Sequence, residues 1–149
     1  MCSRSPAITL VYKTESEKVM CDDENESGVS VIKFKLAPGA RLPEYKTAKA
    51  ACFDIESLEG ATIQPGEVHM FSTGLFPAIA DGYELAIRPR SSSCKTLGLI
   101  PNSPGTIDSD YPGEIKIGVL NATPGPLIVR PGDRIAQARL QRAPQNPIV

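Results

Sequence analysis

The sequence contains one histidine, His69, no tryptophan, and four cysteines, Cys2, Cys21, Cys52 and Cys94, none of them in a Cys-x-x-Cys pair. That leaves little material for a zinc centre, and free thiols in a reducing compartment are the simplest reading of the cysteines. Charge of either sign is also lacking in excess: 16 basic residues face 17 acidic ones, for a net charge of −1. Such a balance argues against a general nucleic-acid binder, which carries a strong basic surplus. It does not exclude a small anion, since a few clustered arginines suffice for a triphosphate. No apolar run approaches the roughly 20 residues needed to span a bilayer, and the first residues, Met-Cys-Ser-Arg-Ser-Pro, have no apolar signal-like core. The expectation is one intracellular, cytoplasmic domain without a membrane segment, with a nuclear location left open for a eukaryotic or viral source. At 149 residues it is long enough to bury a core without disulfides or metals.

What is abundant is turn chemistry. The 14 prolines and 12 glycines fall as punctuation, at Pro38-Gly39, Pro65-Gly66, Pro104-Gly105, Pro112-Gly113, Pro124-Gly125 and Pro131-Gly132, with Asp81-Gly82 as a further signal. Proline presets φ at the first turn position and glycine supplies positive φ at the next, so each pair predicts a chain reversal. Between them run short segments of period two. Ile32, Phe34 and Leu36 alternate with lysines; Tyr83, Leu85 and Ile87 alternate with Glu84 and Arg88; Ile115, Ile117 and Val119 share a face opposite Lys116. Leu127-Ile128-Val129 is a short β-branched run and Arg134 to Leu140 a weaker one. Many short strands separated by turns predict an all-β sandwich, jelly roll or barrel, and any helix should be short. Residues 1–28 stand apart as an N-terminal extension. Ile8 to Tyr12 suits a strand or a peptide-like arm, and Cys21 to Gly28 is a polar acidic stretch that suits a solvated loop. The β domain is expected over 29–142 and a tail over 143–149.

Three polar clusters interrupt the strand pattern. Arg88-Pro89-Arg90-Ser91-Ser92-Ser93 ends a predicted strand, where guanidinium, hydroxyl and loop N–H groups can cradle phosphate. The same residues also suit an ordinary Arg/Ser-rich surface loop. Asn102 to Glu114 places Asp108 and Tyr111 between two turns. A carboxylate there can hold and polarise a water, and the ring can stack on a sugar. An acidic hairpin with a core tyrosine is the alternative. Gly132-Asp133-Arg134-Ile135-Ala136-Gln137 follows a Pro-Gly turn, where Asp133 and Arg134 could simply pair with each other on the surface.

Taken together and in this order, the clusters resemble the trimeric dUTPase family. Arg90-Ser91-Ser92 matches its second motif. Asn102 to Gly113 matches its third, with the core Gly-x-Ile-Asp-x-x-Tyr-x-Gly. Gly132 to Gln137 matches its fourth, and Ala50-Ala51-Cys52-Phe53-Asp54-Ile55 its first. The resemblance covers roughly residues 29–142. It implies a distorted jelly-roll or β-barrel subunit, a homotrimer with active sites between subunits, and hydrolysis of dUTP to dUMP and pyrophosphate. That activity limits uracil incorporation into DNA and supplies dUMP for dTTP synthesis. By position, Asp54 organises Mg²⁺ through metal-bound water, and Arg90, Ser91, Ser92 and Gln137 contact the triphosphate. Asn102 helps recognise uracil, and Gly105 and Ile107 belong to the same substrate-binding hairpin. Asp108 binds the 3′-hydroxyl and orients the attacking water, as the catalytic residue. Tyr111 packs under the deoxyribose and leaves no room for a 2′-hydroxyl; a rigid wall is a sound way to refuse a larger substrate. Mg²⁺ keeps several waters, so outer-sphere support from one carboxylate plus the phosphates is enough.

One departure matters most, and two are smaller. A fifth, Gly-rich motif that closes over the nucleotide in this family is not found after Gln137, so slower but still Mg²⁺-dependent catalysis is expected. Cys52 stands where glycine is common, and Pro112 where a polar residue often sits. The nearest rival, a dCTP deaminase of the same fold, needs a glutamate base near the pyrimidine and lacks Asp-x-x-Tyr, so Asp108 and Tyr111 favour dUTPase. A nucleotide-binding interaction protein with weak catalysis, and a regulatory protein partner, are left open by the N-terminal extension and the missing arm.

Overall fold

The computed structural model describes residues 10–13, 31–93 and 104–149. Among these residues the chain forms eleven strands: β1 (Leu10–Lys13), β2 (Ile32–Leu36), β3 (Phe53–Glu56), β4 (Ala61–Ile63), β5 (Val68–Ser72), β6 (Leu75–Ala78), β7 (Tyr83–Arg88), β8 (Gly105–Ile107), β9 (Lys116–Leu120), β10 (Leu127–Val129) and β11 (Arg134–Arg142). They pair into four small sheets, ordered β1-β2-β6, β10-β4, β3-β11-β7-β8 and β5-β9. All pairs are antiparallel except β1 with β2. The architecture is all-β, as the turn spacing predicts.

Alternation explains which faces meet. Ile115, Ile117 and Val119 are fully buried, as are Leu85 and Ile87. In β10, Ile128 is 56% exposed between buried Leu127 and Val129, the signature of a strand with one solvated face. The inward faces build one core in which Phe34 meets Phe53 edge-on at 6.1 Å and Tyr45 meets Phe53 at 5.6 Å. Burial raises the Tyr45 phenol above its ordinary pKa, and the neighbouring Cys52 adds to that effect. His69 lies in β5, beside Phe71 at 4.5 Å.

The turn signals divide into two groups. Gly39, Gly66, Gly82 and Gly132 have positive φ, as a Pro-Gly or Asp-Gly turn requires. Gly105, Gly113 and Gly125 do not, and Gly105 sits inside β8. At Gly105 the glycine serves strand pairing, and at Gly113 close packing against Tyr111, rather than a left-handed turn. The Arg134 segment, which composition marks as weak, is the longest strand at nine residues. Its polar side chains weaken the sequence signal, yet pairing on both edges with β3 and β7 holds it. β1 gives the Ile8–Tyr12 region a strand at Leu10–Lys13; the rest of residues 1–28 lies outside the described residues. No helix among the described residues is long and apolar enough to cross a membrane.

One buried polar side chain ties the strand ends together. Asn121, fully buried, donates from Nδ2 to the carbonyls of Ile63 (2.8 Å) and Gly125 (2.7 Å). Its Oδ1 accepts from the N–H (2.9 Å) and hydroxyl (2.7 Å) of Thr123. Both amide hydrogens and both lone pairs are used, which is how a buried amide avoids a desolvation penalty. Asn121→Ala strips partners from several buried groups at once and should lower stability by about 3 kcal/mol; thermal or denaturant unfolding of the variant checks this.

Candidate active site

The site begins with a bulge. Opposite β3, Arg134 pairs with Glu56, but Ala136 pairs with Ile55 and Gln137 with Asp54, so Ile135 is the extra residue. Arg134 and Gln137 are three apart and would face opposite ways in a regular strand. The extra residue shifts the register and turns both toward the face that carries Asp54. Ile135 and Ala136, both fully buried, go into the core at the bulge. On the other edge of β11, Gln137 pairs with Arg88. Asp54, Gln137 and Arg88 therefore form one row across β3, β11 and β7.

Two arginines close on Asp54. Arg90 donates from Nε to Asp54 Oδ1 at 2.8 Å, and Arg134 from Nη1 to Oδ2 at 3.0 Å. Arg90 Nη1 also reaches Ser92 Oγ and the Arg134 carbonyl, each at 3.2 Å. Gln137 Nε2 donates to the Pro89 carbonyl at 2.8 Å, which fixes the start of the Arg90–Ser92 loop. Three segments far apart in sequence thus converge on one carboxylate whose side chain is only 13% exposed. The surface pair considered between Asp133 and Arg134 does not form. Asp133 Oδ2 instead accepts the Arg130 N–H at 2.8 Å and caps the Pro131-Gly132 turn, leaving Arg134 for Asp54. Arg134 is a site residue that the motif reading passed over. Its signal was its place three residues before Gln137, which only the bulge makes meaningful.

Asp54 also suits a hydrated cation. Each of its oxygens has one arginine partner and a further lone pair, and a carboxylate of that kind can accept from metal-bound water. No group of three or more His, Cys, Asp or Glu side chains that could hold a metal ion directly occurs among the described residues.

The cluster that carries Asp108 and Tyr111 sits on the far side of β7. There β8 pairs with β7 through Leu85–Ile107 and Ile87–Gly105, which brings Asp108 beside Glu84. Asp108 and Tyr111 are exposed, the latter at 40%, which removes the core-tyrosine alternative. Tyr111 N–H closes a turn on the Asp108 carbonyl at 3.2 Å, and its phenol donates to the Glu114 carbonyl at 2.9 Å. A Cβ on Gly113 would lie 2.6 Å from the Tyr111 hydroxyl oxygen, so glycine there is what lets the ring fold back. Asp108, Ser109, Asp110, Asp81, Glu84 and Gln145 line an open cleft of ≈ 740 Å³. Asn102 and Cys94 lie outside the described residues.

Within one chain the two halves stay apart. The Arg88 row and the Glu84 row are four residues apart along β7, roughly 13 Å at the rise of a strand. Asp54, Arg90, Ser92 and Gln137 gather at one end; from Gly105 opposite Ile87, β8 runs through Ile107 opposite Leu85 to Asp108 and Tyr111 toward the other.

Comparison with known proteins finds relatives of the chain. Residues 39–148 match the sequence profile of the dUTPase family. The chain is 45% identical over 110 residues to the deoxyuridine 5′-triphosphate nucleotidohydrolase of Wolinella succinogenes, covering 73% of this chain and 74% of that one. It is 43% identical over 116 residues to the enzyme of the same name from Nautilia profundicola, covering 77% and 82%. Among solved structures, the dUTPase of Streptococcus mutans superposes with a TM-score of 0.70 at 26% identity, over 76% of this chain and 98% of that one. A variant of the dUTPase from phage phi11 of S. aureus, whose structure reveals the coordination of a structural Mg(II) ion, superposes with a TM-score of 0.74. At 23% identity, over 79% of this chain and 94% of that one, this likeness bears on the fold alone.

The ion-pair geometry predicts an asymmetry. Asp54→Ala leaves two guanidinium groups facing each other without their anion and should cost about 3 kcal/mol. Arg134→Ala leaves Asp54 with Arg90, and Arg134 is 44% exposed, so screening should hold its cost to about 1 kcal/mol or less. Denaturant unfolding of the two variants side by side tests the ordering.

Proposed function

The chain belongs to the dUTPase family, and we propose that it is a dUTP diphosphatase whose active sites are completed between subunits. It hydrolyses dUTP to dUMP and pyrophosphate. The observation that carries the site assignment is the meeting of Asp54, Arg90 and Gln137 at one end of the β3-β11-β7 sheet, with Asp108 and Tyr111 exposed toward the other.

In this reading the oxygen of a water bonds to the α-phosphorus while the bond from that phosphorus to the α–β bridging oxygen breaks. Pyrophosphate leaves with the bridging oxygen, and Asp108 orients the water and takes its proton. Arg90, Ser91, Ser92 and Gln137 bind the phosphates. Arg90 exchanges Asp54 for phosphate oxygen, and Arg134 keeps the Asp54 charge compensated when it does. Catalysis of this kind is mostly positioning and charge stabilisation. Mg²⁺, held through water by Asp54, neutralises phosphate charge when bound. Tyr111 packs against the deoxyribose.

The chain assembles with copies of itself, and the assembly we propose is a trimer. The separation of the two half-sites within one chain supports a site that takes Asp108 and Tyr111 from one copy and Asp54, Arg90 and Gln137 from a neighbour. An intracellular location accords with a substrate made inside cells.

Two measurements test this. Pyrophosphate release from dUTP with Mg²⁺ should far exceed that from dTTP, dCTP or UTP, stop when the metal is chelated, and fall by about 10²–10⁴ in Asp108→Asn. Co-expressing Asp108→Asn with Arg90→Ala should restore about one quarter of the wild-type rate, because random mixing pairs an intact half-site from each chain at that frequency. No recovery would place the whole site within a single chain.

A further inference from the structure

Tyr111 is bolted to the core by residues outside the motif roles described above. Its phenol donates to the Glu114 carbonyl at 2.9 Å. The side chain of the same residue, Glu114, reaches the other way and accepts the Gly74 N–H on Oε1 at 2.8 Å. Ile115 follows with two bonds to the same corner: its N–H donates to the Leu75 carbonyl at 2.8 Å, and its carbonyl accepts the Thr73 hydroxyl at 2.6 Å. Thr73 is buried and its oxygen also accepts the Leu75 N–H at 3.2 Å.

The corner itself cannot move far. Gly74 has φ +70, and a Cβ there would lie 2.6 Å from the Cβ of Ala40. Its carbonyl accepts the Ala37 N–H at 2.8 Å, and the Ser72 carbonyl accepts the Leu58 N–H at 2.8 Å. The Gly74 N–H is thus a fixed donor, and its bond to the half-buried Glu114 carboxylate is charge-assisted and short. Glu114 joins that fixed point to the ring that, in the proposed site, faces the sugar.

We infer that Glu114 is a positioning residue for sugar discrimination: its carboxylate, anchored on Gly74, holds Tyr111 where a 2′-hydroxyl cannot fit. The inference rests on the reading of Tyr111 as the wall against the deoxyribose. A wall excludes one extra oxygen only if it stays put to a fraction of an ångström. Without the anchor, segment 111–115 keeps its backbone bonds at Ile115 but loses the tie next to the ring.

The test is the ratio of kcat/KM for dUTP to that for UTP, with thermal unfolding measured alongside. Glu114→Ala should lower the ratio about tenfold, mainly by raising kcat/KM for UTP. Glu114→Gln keeps an acceptor oxygen for Gly74 and should restore most of the ratio. Tyr111→Phe, which removes only the bond to the Glu114 carbonyl, should lower it by a smaller factor and serves should Glu114→Ala fold poorly. Tyr111→Ala separates the two levels. If it erodes the ratio while Glu114→Ala and Tyr111→Phe leave it at the wild-type value, the role of Glu114 is overturned and the wall stands. If Tyr111→Ala also leaves the ratio unchanged, the wall itself is wrong and the inference falls with it. A general loss of activity on both substrates with an unchanged ratio would mark Glu114 as merely structural, and would likewise overturn it.

Discussion

The register shift at Ile135 is the constraint on which the proposed phosphate-binding end depends. A strand presents alternate residues to opposite faces, so Arg134 and Gln137 share a face only because one residue of β11 is left out of the pairing with β3. Both then lie beside Asp54, and the regular pairing of β11 with β7 carries the row on to Arg88 and the Arg90 loop. Without the bulge, either the arginine that compensates Asp54 or the glutamine that holds Pro89 would point into the core. Bulges concentrate where a side chain must be re-aimed, and this one re-aims the whole end of a sheet.

The proposed nucleoside-binding end depends on a different device. It is built on the opposite edge of β7, at the short strand β8, and is tied to the β5–β6 corner rather than to β11. Buried glycine and threonine at that corner, with the carboxylate of Glu114, set the position of an exposed ring. The two ends share β7 but little else. The phosphate end is ion-paired and partly buried; the nucleoside end is an exposed turn on a rigid base. Separate supports of this kind suit a site made from two copies, since each half keeps its geometry without the other.

Much of this was legible in the residues. The strands Ile32–Leu36, Tyr83–Arg88 and Leu127–Val129 follow from alternation and turn punctuation, and the ordered motifs are matched by the family relationship over residues 39–148. The short strands from Phe53 to Ala78 were less legible, because two of the turns between them, at Glu59-Gly60 and Thr73-Gly74, carry no Pro-Gly pair and only Pro65-Gly66 marks the third. Glycine φ was only partly legible. A Pro-Gly pair marks a turn at Gly39, Gly66 and Gly132. At Gly113 the same pair answers to the space taken by the Tyr111 ring, a tertiary demand.

Sequence alone determined the class of fold and the family, because alternation, turn residues and motif order are local properties that survive as a string. Tertiary structure decided who partners whom. Asp133 caps its own turn while Arg134 crosses to Asp54, and Glu114 serves Gly74 across the core. Such pairings link residues 40 and 80 positions apart, and they are set by strand register and packing. A one-residue slip in pairing reverses which side chains meet, and no local pattern in the string records it.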